Sequence, residues 1–146
     1  MTTPPIKTPN SDKRDREFLT PDEVDLLIEA AKKKGRHGHR DATMILLAYR
    51  HGLRVCELIA LRWHHIDLTS GLIQITRHHN GLDAPHPLFG AELRALRRIK
   101  RLYPQTDYVF ITERKTPMIP STFYKIVARA GREAGLGLSV HPHMLR

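Results

Sequence analysis

The sequence has a single cysteine, Cys56, among 146 residues, so no disulfide can form within the chain. It also lacks long hydrophobic runs: none approaches the roughly 18 apolar residues that indicate a membrane span. The first residues contain no apolar stretch of the kind that a secretory signal requires. These absences exclude a disulfide-stapled secreted scaffold and an integral membrane protein. They predict a cytoplasmic protein that has no membrane partner.

The composition is that of a globular protein with a strong basic bias. Apolar residues make up 40% of the chain and charged residues 27%, which is enough to bury the core of one domain. Twenty-four Lys and Arg outnumber fifteen Asp and Glu, for a net charge of +9. Such a surplus favours a polyanionic partner, because each cation near a phosphate releases condensed counterions. The alternative is a basic but merely solvated surface.

Residues 1–17 carry three prolines, several basic residues and no periodic apolar set, which predicts a flexible basic tail. A helix is expected to begin directly after it. Thr20 suits the N-cap, Pro21 the first helical position, and Glu23 completes a capping box. Apolar residues then recur at the i, i+3, i+4, i+7 spacing of an amphipathic helix.

The remaining pattern predicts a mainly α fold with a small three-stranded antiparallel sheet. A loop around Asn80-Gly81 is expected before the third strand, and Gly52 is expected to end a helix. The expected later helices span about 41–52, 54–63, 91–103 and 121–133, and the expected strands span 66–68, 72–76 and 86–88. A further short strand or extended segment is expected at 108–112.

Two arginines are distinguished by their context. Arg54 lies between Gly52 and an apolar helix, where a guanidinium suits a shared anion better than the helix dipole. The alternative is an arginine that is solvated or paired with Glu57. On a helix that begins at the proline of HPHMLR, His143 and Arg146 share one face, and imidazole beside guanidinium can clamp a phosphate and donate a proton.

Two His-x-His spacings, at positions 37/39 and 141/143, also admit a metal site. Neither spacing has a cysteine or a carboxylate pattern beside it, which makes the metal interpretation weak. No cofactor is expected.

The order of these motifs carries a family resemblance. HGLRVCELIALRWHHIDL resembles the first arginine box of tyrosine site-specific recombinases, the phage integrase family, which typically reads T-G-x-R-x-S/C-E-x-x-x-L. HPHMLR resembles the opening of their second box, H-x-L-R-H. A hairpin, a helix and a basic helix leading into A-G-L lie between the boxes in the family's order. The resemblance covers about 18–146 and identifies this region as the N-terminal portion of the recombinase catalytic domain. It looks most like the compact recombinases that invert fimbrial promoter segments.

The resemblance implies a chemistry for these residues. Arg54 and Arg146 would clamp the scissile phosphate of double-stranded DNA, and His143 would hydrogen-bond it and assist proton transfer. Glu57 would support the first box structurally. A tyrosine would attack to form a 3′-phosphotyrosine without ATP or metal, in a homo-oligomer assembled on DNA.

The sequence departs from the family at two places. The family's general-acid lysine is missing, since no lysine occurs between Lys34 and Lys100, and the equivalent turn reads RHHNG. His78 or His79 is expected to replace it, because imidazole donates protons near neutral pH; the alternative is an inactive protein. The family's nucleophile follows the second arginine, whereas all four tyrosines of this chain precede it. The sequence is therefore expected to be a C-terminally truncated part of a longer recombinase.

The last predicted helix carries a basic face. Lys125, Arg129 and Arg132 recur at helical spacing, opposite the apolar set Phe123, Val127 and Ala130. In the family the corresponding helix lies in the major groove, so these three cations are predicted DNA contacts. The alternative is an ordinary solvated face. Two rivals to the recombinase remain: a catalytically inactive DNA-binding remnant or regulator, and a basic helical nucleic-acid-binding module of other ancestry.

Overall fold

The computed structural model describes residues 16–76 and 84–146. This part of the chain contains five α-helices, two short 3₁₀ helices and one three-stranded sheet. The helices are α1 Pro21–Lys32, α2 Gly38–His51, α3 Val55–Ile59, α4 Gly90–Leu102 and α5 Pro120–Glu133, and the 3₁₀ helices are Trp63–His65 and Pro142–Leu145. The strands are β1 Ile66–Asp67, β2 Leu72–Ile75 and β3 Ala84–Pro87. The expected fold, mainly α with a small three-stranded antiparallel sheet, is confirmed.

Helix α1 begins as its sequence predicts. The Thr20 side chain accepts a hydrogen bond from the backbone of Glu23, and the Glu23 carboxylate accepts one from the backbone of Thr20. This reciprocal capping box satisfies two donors that a helix start otherwise leaves unpaired. Leu19 and Val24 are both buried on either side of the cap. The buried stripe of α1 packs against α2 and α5.

Helix α2 is the central helix of the domain. It begins three residues earlier than expected, at Gly38, because this glycine lies against the carbonyl of Lys32 at the end of α1. Most of the helix is buried, including Met44, Ile45 and Leu47. Gly52 ends it in the left-handed conformation, with φ +59°, as predicted from a glycine at this place.

Helix α3 is much shorter than the expected span of 54–63. It ends at Ile59, because the residues that follow pair with a distant segment instead of continuing the helix. Trp63 donates its backbone N–H to Asp107, and Val109 donates to Leu61. The segment expected to be extended at 108–112 therefore supplies the partner that draws the chain out of the helix. It forms isolated bridges at Tyr108 and Ile111.

The sheet has the order β1-β2-β3 with both pairs antiparallel. Ile73 and Ile75 of β2 point to the core, and the residues between them face away. Strand β3 begins two residues earlier than expected and ends one residue earlier. In its register His86 lies opposite Ile73.

One hydrophobic core joins these elements. All five α-helices, strand β2, the turn before α3 and the extended segment supply its largest fully buried side chains: Leu27, Met44, Ile45, Leu47, Leu53, Leu58, Ile73, Ile75, Leu96, Ile99, Phe110 and Phe123. The first predicted box follows the C-terminal end of α2, and the second forms the 3₁₀ helix Pro142–Leu145 beyond α5. No helix within the two described ranges is long and apolar enough to cross a membrane.

Candidate phosphate-binding site

The first arginine box is a sharp turn followed by a capped helix. After the left-handed Gly52, Leu53 is buried and anchors the turn, and Arg54 takes the N-cap position of α3. Glu57 is buried and accepts the backbone N–H of Arg54 at 2.7 Å. This contact supports the structural role expected of Glu57, because it fixes the backbone of the arginine it follows.

The side chain of Arg54 is half-buried beside this turn. Among residues 16–76 and 84–146, no group accepts a hydrogen bond from its guanidinium, and Glu57 contacts its backbone rather than its side chain. The helix that follows, α3, has only five residues, and the expectation that its N-terminus shares an anion with Arg54 stays a prediction. An anion here would depend on the arginine.

The second box forms a single 3₁₀ turn at the end of α5's connection. Apolar side chains hold it in place: Pro142, Met144 and Leu145 are buried, and the Met144 carbonyl accepts the backbone N–H of Leu19 at 3.0 Å. His143 and Arg146 are exposed. The 3₁₀ helix ends at Leu145 and Arg146 is its C-cap, so the expectation that His143 and Arg146 act on one phosphate stays a prediction.

The two boxes meet through one side chain. Arg146 donates its Nε–H to the carbonyl of Gly52 at 3.1 Å, across 94 residues of sequence. The contact places the second arginine against the turn that carries Arg54, two residues away. His51 and Gly52 form the C-terminal end of α2 and lead into this turn. Both arginines therefore lie next to that end of the helix.

His143 has an aromatic neighbour that the sequence did not reveal. The hydroxyl of Tyr124, on α5, lies 3.4 Å from Nε2 of His143, and the two rings meet edge to face. His141 packs against His143 on the other side at 5.8 Å between ring centroids. Burial lowers the pKa of His141, and the neighbouring His143 acts in the same direction.

Residues 17–146 match the phage integrase family. The chain belongs to this family. Two relatives are the type 1 fimbriae regulatory proteins FimB and FimE of Escherichia coli strain K12. FimB is 38% identical over 141 residues, which cover 93% of this chain and 70% of FimB. FimE is 39% identical over 137 residues, which cover 90% of this chain and 69% of FimE. The resemblance to the fimbrial group is thereby confirmed.

Solved structures of integrase-family proteins share the fold. The crystal structure of XerA recombinase is similar with a TM-score of 0.75 and 28% identity, and the match covers 88% of this chain and 47% of that chain. The lambda integrase catalytic core has a TM-score of 0.70 at 24% identity, covering 89% of this chain and 78% of that chain. This chain therefore spans about half the length of the XerA chain.

The basic residues of α5, the helix predicted to face DNA, are of two kinds. Phe123, Val127 and Ala130 are buried, and Lys125 and Arg132 are exposed on the other side. Arg129 instead lies within 3.4 Å of Asp41, a nearly inaccessible carboxylate on α2. Arg40 also pairs with Asp41 at 2.9 Å. Burial raises the pKa of Asp41 and outweighs the opposing effect of the two arginines.

Two further expectations concern histidines: His78 or His79 as proton donor, and the His-x-His spacings as a metal site. His78 and His79 lie outside the described residues, so their role as proton donors stays a prediction. Among the residues that the structure does describe, no three metal-ligating side chains cluster. His37 contacts the Tyr103 hydroxyl and His39 the Ala95 carbonyl, at 2.7 and 3.0 Å, so hydrogen bonds account for this His-x-His pair.

Sequence reasoning missed four residues around the site: Tyr124, His51, His86 and Glu92. Each is separated by many residues from the contact it makes, so no local pattern marks it. The tripeptide HPL at 86–88 was the one local signal for His86.

Proposed function

We propose that this chain binds double-stranded DNA and holds the scissile phosphate between Arg54 and Arg146 for site-specific recombination. The hydrogen bond from Arg146 to the Gly52 carbonyl carries the proposal, because it brings two arginines that are far apart in the sequence to one turn. A guanidinium binds phosphate bidentately and neutralises the charge that grows in a pentavalent transition state. XerA, which shares this fold, is itself a recombinase.

The proton transfers fall to histidines in this proposal. His143 is exposed next to Arg146 and would hydrogen-bond the same phosphate. His78 or His79 would protonate the leaving 5′-hydroxyl in place of the family's lysine. Neither step needs a metal or a nucleotide cofactor, because the energy of the broken phosphodiester would be kept in a phosphotyrosine.

The basic charge and α5 supply the rest of the DNA surface in this proposal. Lys125 and Arg132 project from α5, which leads directly into the box that holds His143 and Arg146. Several copies would act together on one site. FimB and FimE are regulatory proteins of type 1 fimbriae, which favours a regulatory outcome for the recombination proposed here.

The phosphate clamp is testable on this chain by DNA binding. We expect Arg54→Ala and Arg146→Ala each to weaken binding to all duplex sequences alike and to lower the salt slope by about one, because each removes one phosphate contact. The measurement is the dissociation constant for short duplexes across a salt series.

Arg114→Ala is the matched control. Arg114 is exposed in the turn at 112–116 and belongs to neither box. If the control lowers the salt slope as much as the two clamp variants do, binding is a general effect of charge and the clamp is wrong.

A further inference from the structure

Three titratable side chains, two of them buried and one half-buried, contact one another next to the proposed phosphate-binding turn. His51, the last residue of α2, lies with its Nε2 2.5 Å from Oε2 of Glu92. Its Nδ1 lies 3.3 Å from Nδ1 of His86 on β3. The side chains of His51 and Glu92 are only 5% and 1% exposed. The contacts among His86, His51 and Glu92 thus connect the end of α2, the first turn of α4 and the sheet.

Because Glu92 is buried, its carboxylate has lost its hydration and depends on hydrogen-bonding partners in the protein, of which His51 is one. A buried carboxylate needs hydrogen-bonding partners, and within the described residues the second oxygen, Oε1, has none. The first turn of the thirteen-residue α4 favours the anion, and Nε2–H of His51 is the donor that meets Oε2. This hydrogen bond sets which ring nitrogen of His51 carries the proton and how the ring is oriented. Nδ1 is thereby directed at His86.

The oriented imidazole belongs to the residue directly before Gly52. Gly52 takes the left-handed conformation, and its carbonyl receives Nε–H of Arg146. On the other side of the glycine, Leu53 is buried in the core. The direction of the Gly52 carbonyl is therefore held from two sides, by the His51 side chain and by the Leu53 side chain.

We infer that the His86–His51–Glu92 chain positions the two arginines of the phosphate clamp. Glu92 and His86 hold the His51 ring, the ring holds the turn, and the turn presents Arg54 and receives Arg146. These three residues are positioning residues, since they act through the turn and do not contact the phosphate. The inference rests on the proposed clamp.

A purely structural ion pair would stabilise the fold without any link to Arg146. A double-mutant cycle separates the two roles, because residues that act through one contact give non-additive effects. We expect Glu92→Gln to weaken binding to a short duplex by about three- to tenfold, measured at a temperature where the variant is folded. In the Arg146→Ala background the same change should weaken binding clearly less than in the parent chain, since only the part of the effect that acts through Arg54 remains.

Two further variants sharpen the test. His51→Gln keeps an N–H donor toward Glu92, so it should retain more affinity than His51→Ala. Thr43→Ala is the control: it removes a buried hydrogen bond of 2.7 Å to the His39 carbonyl on the same helix, far along α2 from Gly52. The control should lower the melting temperature and leave the dissociation constant within about twofold.

The outcomes are distinct. If the effects of Glu92→Gln and Arg146→Ala multiply, or if Thr43→Ala weakens binding as much as Glu92→Gln does, the positioning role is wrong and the clamp still stands. If Arg146→Ala alone leaves affinity and salt slope unchanged, the clamp fails and this inference with it. Should Glu92→Gln not fold, the cycle is run with His86→Gln, at a half-buried strand position, with the same expectation.

Discussion

At the scale of single residues, the three cations of α5 differ in what they contact. Lys125 and Arg132 face solvent, whereas Arg129 reaches back to Asp41 and joins α5 to α2. Asp41 is buried and also forms a salt bridge with Arg40. The guanidinium of Arg40 donates a further hydrogen bond to the Ile111 carbonyl at 3.1 Å. A helical stripe of basic residues can therefore combine solvent-facing and structural members.

We expect Arg129→Ala to act mainly on stability. Removing this guanidinium leaves the buried Asp41 carboxylate with Arg40 alone, and the free energy of unfolding should fall by about 1–2 kcal/mol, discounted because Arg129 is partly exposed. Lys125→Ala and Arg132→Ala should leave stability within about 0.5 kcal/mol and instead lower the salt slope of DNA binding.

Urea denaturation and DNA titrations of the three variants distinguish these roles. Arg94→Ala and Arg98→Ala, on the exposed face of α4, serve as controls for binding. If the α4 variants change affinity and salt slope while Lys125→Ala and Arg132→Ala do not, the DNA lies on the α4 face and the proposed surface is wrong.

Histidine burial makes stability depend on pH. Burial lowers the pKa of His39, and the Ala95 carbonyl that its ring contacts opposes the shift only in part. Because the unfolded chain then binds a proton first, stability falls as the pH drops below the unfolded pKa of about 6.5. His65 and His141 are shifted in the same direction by burial.

The corresponding variant is His39→Gln, which keeps an amide donor for the Ala95 carbonyl but cannot titrate. Its loss of stability between about pH 7.5 and about pH 5.5 should be smaller than that of the parent chain. Denaturation midpoints at the two pH values measure this. An equal loss in both proteins would show that His39 does not contribute.

At the scale of elements, the packing of α1 on α2 depends on one close approach. A Cβ atom at Gly38 would lie 2.4 Å from the carbonyl oxygen of Lys32 and 3.0 Å from that of Ala31. Both atoms are backbone, so neither can move without shifting the end of α1. Gly90, at the start of α4, has a similar position in its helix, but there the Cβ would meet only the flexible guanidinium of Arg94.

These two glycines form a matched pair. Gly38→Ala should lower the free energy of unfolding by about 1–3 kcal/mol, as overpacking does. Gly90→Ala should be neutral or stabilising by up to about 1 kcal/mol, because alanine is the better helix former. Thermal melting of both variants checks the pair, and equal destabilisation would mean that helix propensity rather than the α1–α2 contact decides the outcome.

At the scale of the whole molecule, the tyrosines determine what this chain can do by itself. Tyr103 and Tyr108 have their hydroxyls bonded to His37 and Arg62, at 2.7 and 2.8 Å, and Tyr49 packs against the core. Tyr124 is exposed next to His143, yet it lies on the helix that the proposal assigns to DNA. None of the four tyrosines is placed as a separate nucleophile facing both arginines.

We therefore expect this polypeptide to bind DNA without cleaving it. Incubation with a nicked suicide substrate should leave no covalent protein–DNA adduct on a denaturing gel. An adduct that disappears in Tyr124→Phe would overturn this expectation and assign the attack to Tyr124.

Features that depend on residues close together in the chain could be predicted from the residue types alone. The capping box at Thr20, the helix stop at Gly52 and the buried face of α5 all follow from residue types a few positions apart, where helix geometry brings them together. The two arginine boxes are equally local, so the family was recognisable before the fold. The general-acid assignment to His78 or His79 stays a prediction.

Which residues far apart in the sequence come into contact depends on how the helices and the sheet pack in three dimensions. This packing shortened α3, because the segment around Tyr108 pairs with the backbone that the sequence pattern assigned to a helix. In the folded chain Arg129 contacts Asp41 instead of solvent, Arg146 donates a hydrogen bond to the Gly52 carbonyl, and His51 contacts Glu92. The physical reason is the same in each case: periodicity reports which way a side chain faces, whereas the partner of a buried or turning group depends on how complete elements pack.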